Sequence, residues 1–296
     1  MGHEPRQTGP DHGATSAGSA PDATVPDGAA AAGYLSRVAE VLAEAARAEL
    51  GTIRVAAGRI AECLAAGGMV HAFGTGHSHL LAEELFYRAG GLARVNPLLV
   101  EDLMLHRSAA GSTAHERRAG LAARLIAEHP MAAGDVLVVA SNSGGSRVAV
   151  ELAELARSAD VLVVAVTSRA HGRSASARAV PGPRLADVAD LVLDTHGVPG
   201  DAMVHVPGVD RPVGPTSTIV GAALLHALVV EVVAALTARG MDPEVFASSN
   251  VAHGDEVNAE LVARYRDRVP ALDPPRERTS STSPGPDPDS ANPSLQ

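Results

Sequence analysis

Two short segments of this chain concentrate groups suited to holding an anion. Gly74-Thr75-Gly76-His77-Ser78-His79 sets two glycines and two hydroxyls between an apolar run, Met69–Phe73, and a segment of helical character beginning near Ser78. Ser141-Asn142-Ser143-Gly144-Gly145-Ser146 sets three hydroxyls and two glycines between the run Asp135–Ala140 and the helical stretch Arg147–Ser158. Glycine lets a backbone approach an anion closely and adopt positive φ. A helix start adds free N–H groups and the positive end of a dipole. A helix cap needs one hydroxyl. The second segment has three serines, so it points to a phosphate or to sugar hydroxyls. The first segment taken alone also suits a plain strand–turn–helix connection. Neither ends in GK[ST], and His79 stands where the third glycine of GxGxxG belongs, so a nucleotide-binding reading is the weakest.

Acid–base groups lie beside the first segment. Moving a proton between carbon and oxygen needs a base and an acid. His77 and His79 flank the loop. Glu83 and Glu84 follow, with Glu83 four residues after His79 and on the same helical face. A carboxylate buried there would have a raised pKa, useful for proton transfer. A solvated glutamate pair and a capping histidine is the plain structural alternative. Thr216-Ser217-Thr218 opens the apolar stretch Thr216–Ala238, which carries His226 near its middle. One hydroxyl of the three would cap that helix and the others would face a ligand. His226 itself reads equally as a satisfied core histidine. His79, Glu83 and His226 have the donor types of a three-ligand metal site, but the preferred reading has no metal and no cofactor. His106, His115, His129, His171 and His196 read as surface or loop residues.

The elements that must position these groups alternate. The pattern predicts a long helix over Tyr34–Ala66, single or broken near Gly51, then a strand at Met69–Phe73. A helix from Ser78 to Gly90-Gly91 follows, then a strand at Ala93–Leu99. Thr113 to Glu116 reads as a capping box opening a helix over Ala114–Glu128. Further strands are predicted at Asp135–Ala140, Val161–Thr167 and Asp190–Asp194, then a Pro/Gly-rich loop and the Thr216–Ala238 helix. Asp255 is expected to cap a last helix, with Val257, Leu261 and Tyr265 on one face. The strands are unbroken apolar runs, as in parallel strands covered on both faces. The β-α-β order implies a doubly wound α/β sandwich, whose ligands sit beyond the carboxyl ends of the strands.

Composition bounds the rest. The formal net charge of −10 argues against a general nucleic-acid binder, which needs a basic face. The lone cysteine, Cys63, cannot form an intramolecular disulfide, which fits a reducing cytoplasm. No secretory h-region opens the chain. The apolar stretch Ile219–Leu236 is interrupted by His226 and Glu231, so it is expected to be a buried helix and not a membrane span. Residues 1–30 and 270–296 are rich in Pro, Gly, Ser and Asp and are expected to be disordered tails around one domain at 31–269.

Three blocks, GTGHSHLLAEEL (Gly74–Leu85), SNSGGSRVAVELAELARSADVLVVAVTS (Ser141–Ser168) and GPTSTIVGAALLHALVVEVV (Gly214–Val233), resemble the SIS (sugar isomerase) domain family of phosphosugar isomerases, lyases and regulators. HAFGTGHSHLLAEELFYRAGG looks like the bacterial UPF0309 subgroup. The resemblance covers roughly residues 34 to 268. It implies a flavodoxin-like, five-stranded parallel sheet. It implies that Ser141, Asn142, Ser143, Gly144 and Ser146 bind a sugar phosphate, with Gly74, Thr75, Gly76 and Ser78 closing on the sugar and Thr216 and Ser217 nearby. Phosphoheptose isomerases of this class resemble the stretch after the first loop, which implies catalytic roles for His79, Glu83 or Glu84, and His226. The class also implies a homodimer or homotetramer. Two functions compete: a sugar-phosphate isomerase or lyase, and a non-catalytic phosphosugar sensor acting through a protein partner. SIS regulators usually carry a DNA-binding helix-turn-helix domain, for which this chain leaves no room, so no nucleic-acid partner is expected.

Overall fold

The structure, a computed structural model, describes residues 28–175 and 181–272. It opens with α1, a single helix over Ala29–Ala65 that buries Val41, Ala45, Ile53, Ala56 and Ile60 along one stripe. Gly51 does not break it. A helical glycine costs only about 1 kcal/mol, and the apolar stripe on both sides outweighs that.

The chain then alternates strand and helix. β1 (Val70–Gly74) leads through a 3₁₀ turn at Gly76–Ser78 into α2 (His79–Leu85). β2 (Val95–Leu98) is followed by α3 (Ala109–His115) and α4 (Leu121–Glu128). β3 (Val136–Ala140) leads to α5 (Arg147–Ser158), and β4 (Leu162–Thr167) to α6 (Arg169–Arg173) and α7 (Leu185–Val188). β5 (Leu191–Asp194) ends the main sheet. A two-stranded antiparallel ribbon, β6 (Ala202–Val204) and β7 (Val213–Pro215), precedes α8 (Ser217–Thr237) and α9 (Gly254–Tyr265).

The five strands are all parallel, in the order β2-β1-β3-β4-β5. This is the flavodoxin-like doubly wound arrangement, and its strand order reverses between β1 and β3. Two apolar layers sandwich the sheet. On one face Val70, Ala72, Val138, Val164 and Val166 pack against α1, α2 and α8. On the other, Phe73, Leu98, Leu137, Val139 and Val163 pack against α4, α5 and α7. A third cluster seats α9 through Leu261 and Tyr265 on Met69, Ala93 and Phe246. α8 is long and apolar enough to cross a membrane, but it buries Val220, Leu224, Leu225, Leu228 and Val232 inside the protein.

Several expected boundaries are corrected. α2 stops at Leu85, because Phe86 is extended and Tyr87 takes φ 43°, so the predicted run to Gly90 does not form. Thr113 opens no helix. Ser108 caps α3 by accepting from the Gly111 amide, and Thr113 donates to the Ala109 carbonyl inside that helix. A break follows, and α4 starts after Gly120 at φ 82°. His253, not Asp255, is the N-cap of α9, and Val257 is exposed while Leu261 and Tyr265 are buried. The expected tails are trimmed from inside. Ala29 and Ala30 are helical and Pro270–Leu272 forms a 3₁₀ turn. The rest of the expected tails, 1–27 and 273–296, lies outside the described residues.

Candidate functional site

β1 and β3 are hydrogen-bonded neighbours, with Gly74 opposite Ala140. The two glycine- and hydroxyl-rich loops therefore leave the same rim of the sheet side by side, at the point where strand order reverses. In the first loop a side chain on Gly74 would run into the Ser78 carbonyl and the His79 amide. Only glycine lets the 3₁₀ turn fold back across the end of β1. Thr75 is buried and its hydroxyl donates to Glu116 Oε2 at 3.0 Å, so toward a ligand it can only accept. His77 is exposed.

The second loop is tied down by its backbone. The Ser141 amide donates to the Val166 carbonyl, and the Asn142 carbonyl accepts from the Ser168 amide and from Thr167 Oγ1 at 3.3 Å. Thr195 Oγ1 donates to Asn142 Oδ1 at 3.4 Å, which adds the end of β5. Gly144 takes φ 63° and closes on Thr167 and Leu185. Ser143 Oγ accepts from the Gly145 amide at 3.3 Å. Ser146 occupies the N-cap position of α5, yet its hydroxyl makes no cap bond. That oxygen is buried without a hydrogen-bond partner. Leaving a buried hydroxyl unpaired costs about 1–3 kcal/mol, so an acceptor arriving at α5 would recover that energy.

A third wall comes from the start of α8. Ser78, Asn142, Thr195, Ser217 and Thr218 surround one small cavity together with Leu81 and Val166. The expected hydroxyl cap of α8 is absent. Asp201, held at φ 69°, caps the helix instead, accepting from the amides of Thr216 at 3.1 Å and Ser217 at 2.9 Å. Its other oxygen accepts from Ser217 Oγ at 2.6 Å. Thr216 is buried and its Oγ1 is unpartnered.

The acid–base candidates separate into two pairs. Glu84 Oε1 lies 2.7 Å from His226 Nε2, and Arg88 bonds the same Glu84 oxygen. Arg88 Nη1 also lies 3.2 Å from His226 Nε2; with Glu84 ionised, Nε2 carries the hydrogen and donates it to Glu84, so the approach of Arg88 to that nitrogen is a contact and not a hydrogen bond. Burial first, and the Arg88 guanidinium second, hold His226 below its ordinary pKa. The pair thus joins a carboxylate base to a neutral imidazole N–H, both still partly open to solvent. His79 and Glu83 stand apart from it. The buried His79 bonds the Gly76 carbonyl through Nδ1, and its Nε2 is 3.8 Å from a half-exposed Glu83. His79 therefore pins the first loop. Among the described residues no group of three or more His, Cys, Asp or Glu side chains is placed to hold a metal ion, so the His79–Glu83–His226 trio is not assembled.

Comparison with known proteins places this chain in a family. A profile of the SIS domain matches residues 33–168. A UPF0309 protein of Listeria innocua is 40% identical over 220 residues, covering 74% of this chain and 89% of the relative. One from Halalkalibacterium halodurans is 38% identical over 239 residues, covering 81% and 96%. The chain belongs to the UPF0309 family. Among solved structures, a phosphoheptose isomerase from Francisella tularensis is similar at 20% identity with a TM-score of 0.44, over 68% of this chain and 95% of the other. One from Neisseria gonorrhoeae is similar at 21% and 0.44, over 69% and 97%.

Sequence reasoning on this UPF0309 protein missed Arg88, Glu116, Thr195 and Asp201. Only Arg88 left a signal, four residues after Glu84 on the same side of the chain. Glu116 and Asp201 reach their partners across 41 and 15 or 16 residues, which no local spacing reports. His196 is also not free: its Nε2 bonds Glu49 Oε1 on α1 at 3.0 Å.

Proposed function

We propose that this UPF0309 protein binds a sugar phosphate at the rim between β1 and β3 and interconverts it by proton transfer. The observation that carries the reading is the unpartnered, buried hydroxyl of Ser146 at the start of α5. A phosphate placed there would meet the hydroxyls of Ser141, Ser143 and Ser146 and the positive end of a twelve-residue helix. Gly74, Thr75, Gly76, Ser78, Asn142, Gly144, Thr216 and Ser217 would surround the sugar. The Asp201 carboxylate beside Ser217 disfavours a second phosphate at that end and favours sugar hydroxyl donors.

Glu84 would remove the proton from the carbon next to the carbonyl, and His226 would give its Nε2 proton to the carbonyl oxygen. Glu84 then gives its proton to the former carbonyl carbon while His226 recovers one from the hydroxyl on the neighbouring carbon, which completes an aldose–ketose isomerisation with both side chains restored. A lyase would use the same first step. Arg88 positions Glu84. His79 and Glu83 hold the loop beneath the sugar.

A thermal-shift panel of hexose, amino-sugar and heptose phosphates tests the binding step, because only a ligand of the native state raises its stability. Phosphorylated sugars are expected to raise the melting temperature and the free sugars to leave it unchanged. No response to any phosphosugar would refute the reading. A response without turnover of any ligand would favour the sensor alternative. The same proposal includes assembly into a homodimer or homotetramer in the cytoplasm. Leu35 and Val55 on α1 and Ile219 and Val230 on α8 leave apolar surface exposed for a second copy to cover. Sedimentation equilibrium showing only monomer at micromolar concentration would refute that part.

A further inference from the structure

Glu116 touches both sides of the proposed site. Its carboxylate accepts from the Thr75 hydroxyl in the first loop at 3.0 Å, and its backbone carbonyl accepts from the Val148 amide, in the first turn of α5, at 3.2 Å. Ser146, whose unpartnered hydroxyl carries the phosphate reading, is the N-cap of that same turn. Thr75 and Ser141 directly follow Gly74 and Ala140, which are paired across β1 and β3. Neighbouring strands lie about 4.8 Å apart, so the Thr75–Glu116 pair starts one strand spacing from the serine loop.

The backbone of Glu116 is fixed at both of its polar groups. Its amide donates to the Ser112 carbonyl at 3.0 Å, at the end of α3, while its carbonyl is held by α5. The side chain is only partly buried. Its pairing with Thr75 has one polarity. A hydroxyl has a single hydrogen, and Thr75 gives it to Glu116 Oε2. Among the described residues Glu116 Oε1 has no hydrogen-bond partner and the carboxylate forms no ion pair. An ionised carboxylate only accepts, so this wall of the site offers acceptors and a negative charge. The serine loop offers the reverse, with the buried Ser146 hydroxyl unpartnered at the positive end of α5. The two loops share a composition of glycine and hydroxyl groups, yet a phosphate is drawn to one and repelled by the other. An ammonium group suits the acceptor side best, because it brings three donors and a positive charge where a sugar hydroxyl brings one donor and none.

We propose that Glu116 is a specificity-determining residue, selecting a sugar phosphate that carries a protonated amino group and rejecting one that carries a second anion. This rests on the sugar-phosphate reading above and narrows it to amino-sugar phosphates.

Isothermal titration of the full chain at neutral pH with glucosamine 6-phosphate, glucose 6-phosphate, N-acetylglucosamine 6-phosphate and glucose 1,6-bisphosphate tests it. The wild-type chain is expected to bind glucosamine 6-phosphate at least about fivefold more tightly than glucose 6-phosphate, the margin of a charged over a neutral hydrogen bond. The N-acetyl and bisphosphate ligands are expected to bind no more tightly than glucose 6-phosphate. Glu116→Gln keeps an oxygen for Thr75 and the carbonyl link to α5 but removes the charge. It is expected to bring glucosamine 6-phosphate and glucose 6-phosphate within about twofold of each other, at an unchanged melting temperature. Wild-type affinities alone can overturn the proposal, whatever the variant does to folding: equal binding of those two ligands does so, as does tighter binding of the N-acetyl or bisphosphate ligand. A preference for the amine that survives Glu116→Gln also overturns it. Free glucosamine binding as tightly as its 6-phosphate, with Ser146→Ala indifferent, sinks the sugar-phosphate reading and leaves the Glu116 assignment standing. Binding of none of these ligands overturns both.

Discussion

Glu84 Oε1 and His226 Nε2 stand 2.7 Å apart although 142 residues separate them in the chain. The contact forms because α2 and α8 pack on the same face of the sheet, with Leu81, Ala82 and Leu85 of α2 in one cluster with Leu224, Leu225 and Leu228 of α8. Each residue sits on the side of its helix that turns away from that core. A carboxylate and an imidazole are thereby held together on the α2–α8 side of the sheet, His226 lying about 14 Å along α8 from the hydroxyls at its start.

Removing either member of this pair should stop turnover and spare binding. Glu84→Gln and His226→Asn are each expected to lower kcat by about 10²–10⁴, the usual worth of a positioned acid or base. Glu83→Gln, on the other pair, should lower it by less than about threefold, well under that range. Steady-state kinetics on whichever phosphosugar the thermal-shift panel identifies, with Kd measured alongside, separates these outcomes. Equal losses for Glu83 and Glu84 would remove the assignment.

Ser146→Ala should behave unlike an ordinary N-cap substitution. Losing a working cap costs about 0.5–2 kcal/mol. Here the hydroxyl makes no cap bond and has no other partner. The ligand-free protein should therefore lose no stability, and relief of the unpaired hydroxyl should raise its urea midpoint by the equivalent of up to about 1–3 kcal/mol. Phosphosugar affinity should fall by about tenfold, the equivalent of one hydrogen bond to a charged group. A large loss of ligand-free stability would show that the hydroxyl serves the fold.

Asp201 should matter to stability through α8. Asp201→Ala removes the acceptor of two amides and one hydroxyl and is expected to cost about 1–3 kcal/mol in urea denaturation. Asp201→Asn keeps one oxygen for the amides and should cost less than half as much. Equal costs for the two would mean that charge, not capping geometry, is what Asp201 supplies.

The fold should weaken in mild acid. His71 is buried on β1, with Nε2 3.2 Å from Asp135 and Nδ1 3.2 Å from Asn96, and burial holds its pKa below the ordinary 6.5. Burial lowers His129 and His171 as well. The unfolded chain therefore binds more protons than the native one between the lowered values and 6.5, so stability is full above that window and is lost as pH falls through it. Urea midpoints are expected to be flat above pH 7 and to drop between pH 6.5 and 5. The drop should shrink in His129→Gln. A midpoint that rises on acidification would contradict the assigned directions.

The sheet was legible because its strands are short, unbroken apolar runs bounded by glycine and polar residues. The Ser141–Ser146 loop stood out because three hydroxyls exceed what a cap requires, whereas the Gly74–His79 loop taken alone suits a plain strand–turn–helix connection and gained meaning only from its neighbour. The α3–α4 region was not. Thr113 to Glu116 fits a capping box as a string, but Ser108 starts a helix earlier and Gly120 then splits the stretch. The choice between Glu83 and Glu84 was equally hidden, since adjacent residues on a helix differ by about 100° in direction and only the docking of α8 selects one. Asp201 was invisible for another reason. It caps a helix from beyond the β6–β7 ribbon, inside a segment that reads only as a Pro/Gly-rich loop.

The pairing of Gly74 with Ala140 has one more effect. Neighbouring strands in a ladder keep a spacing near 4.8 Å, so the two loops begin from anchorages that no side-chain replacement can spread. The gape of the cleft is set by peptide geometry. Any change in what the cleft admits must then come from the parts hung on longer tethers, the approach of α8 behind its ribbon and the turn beyond β4, while the spacing of the two loops stays as it is.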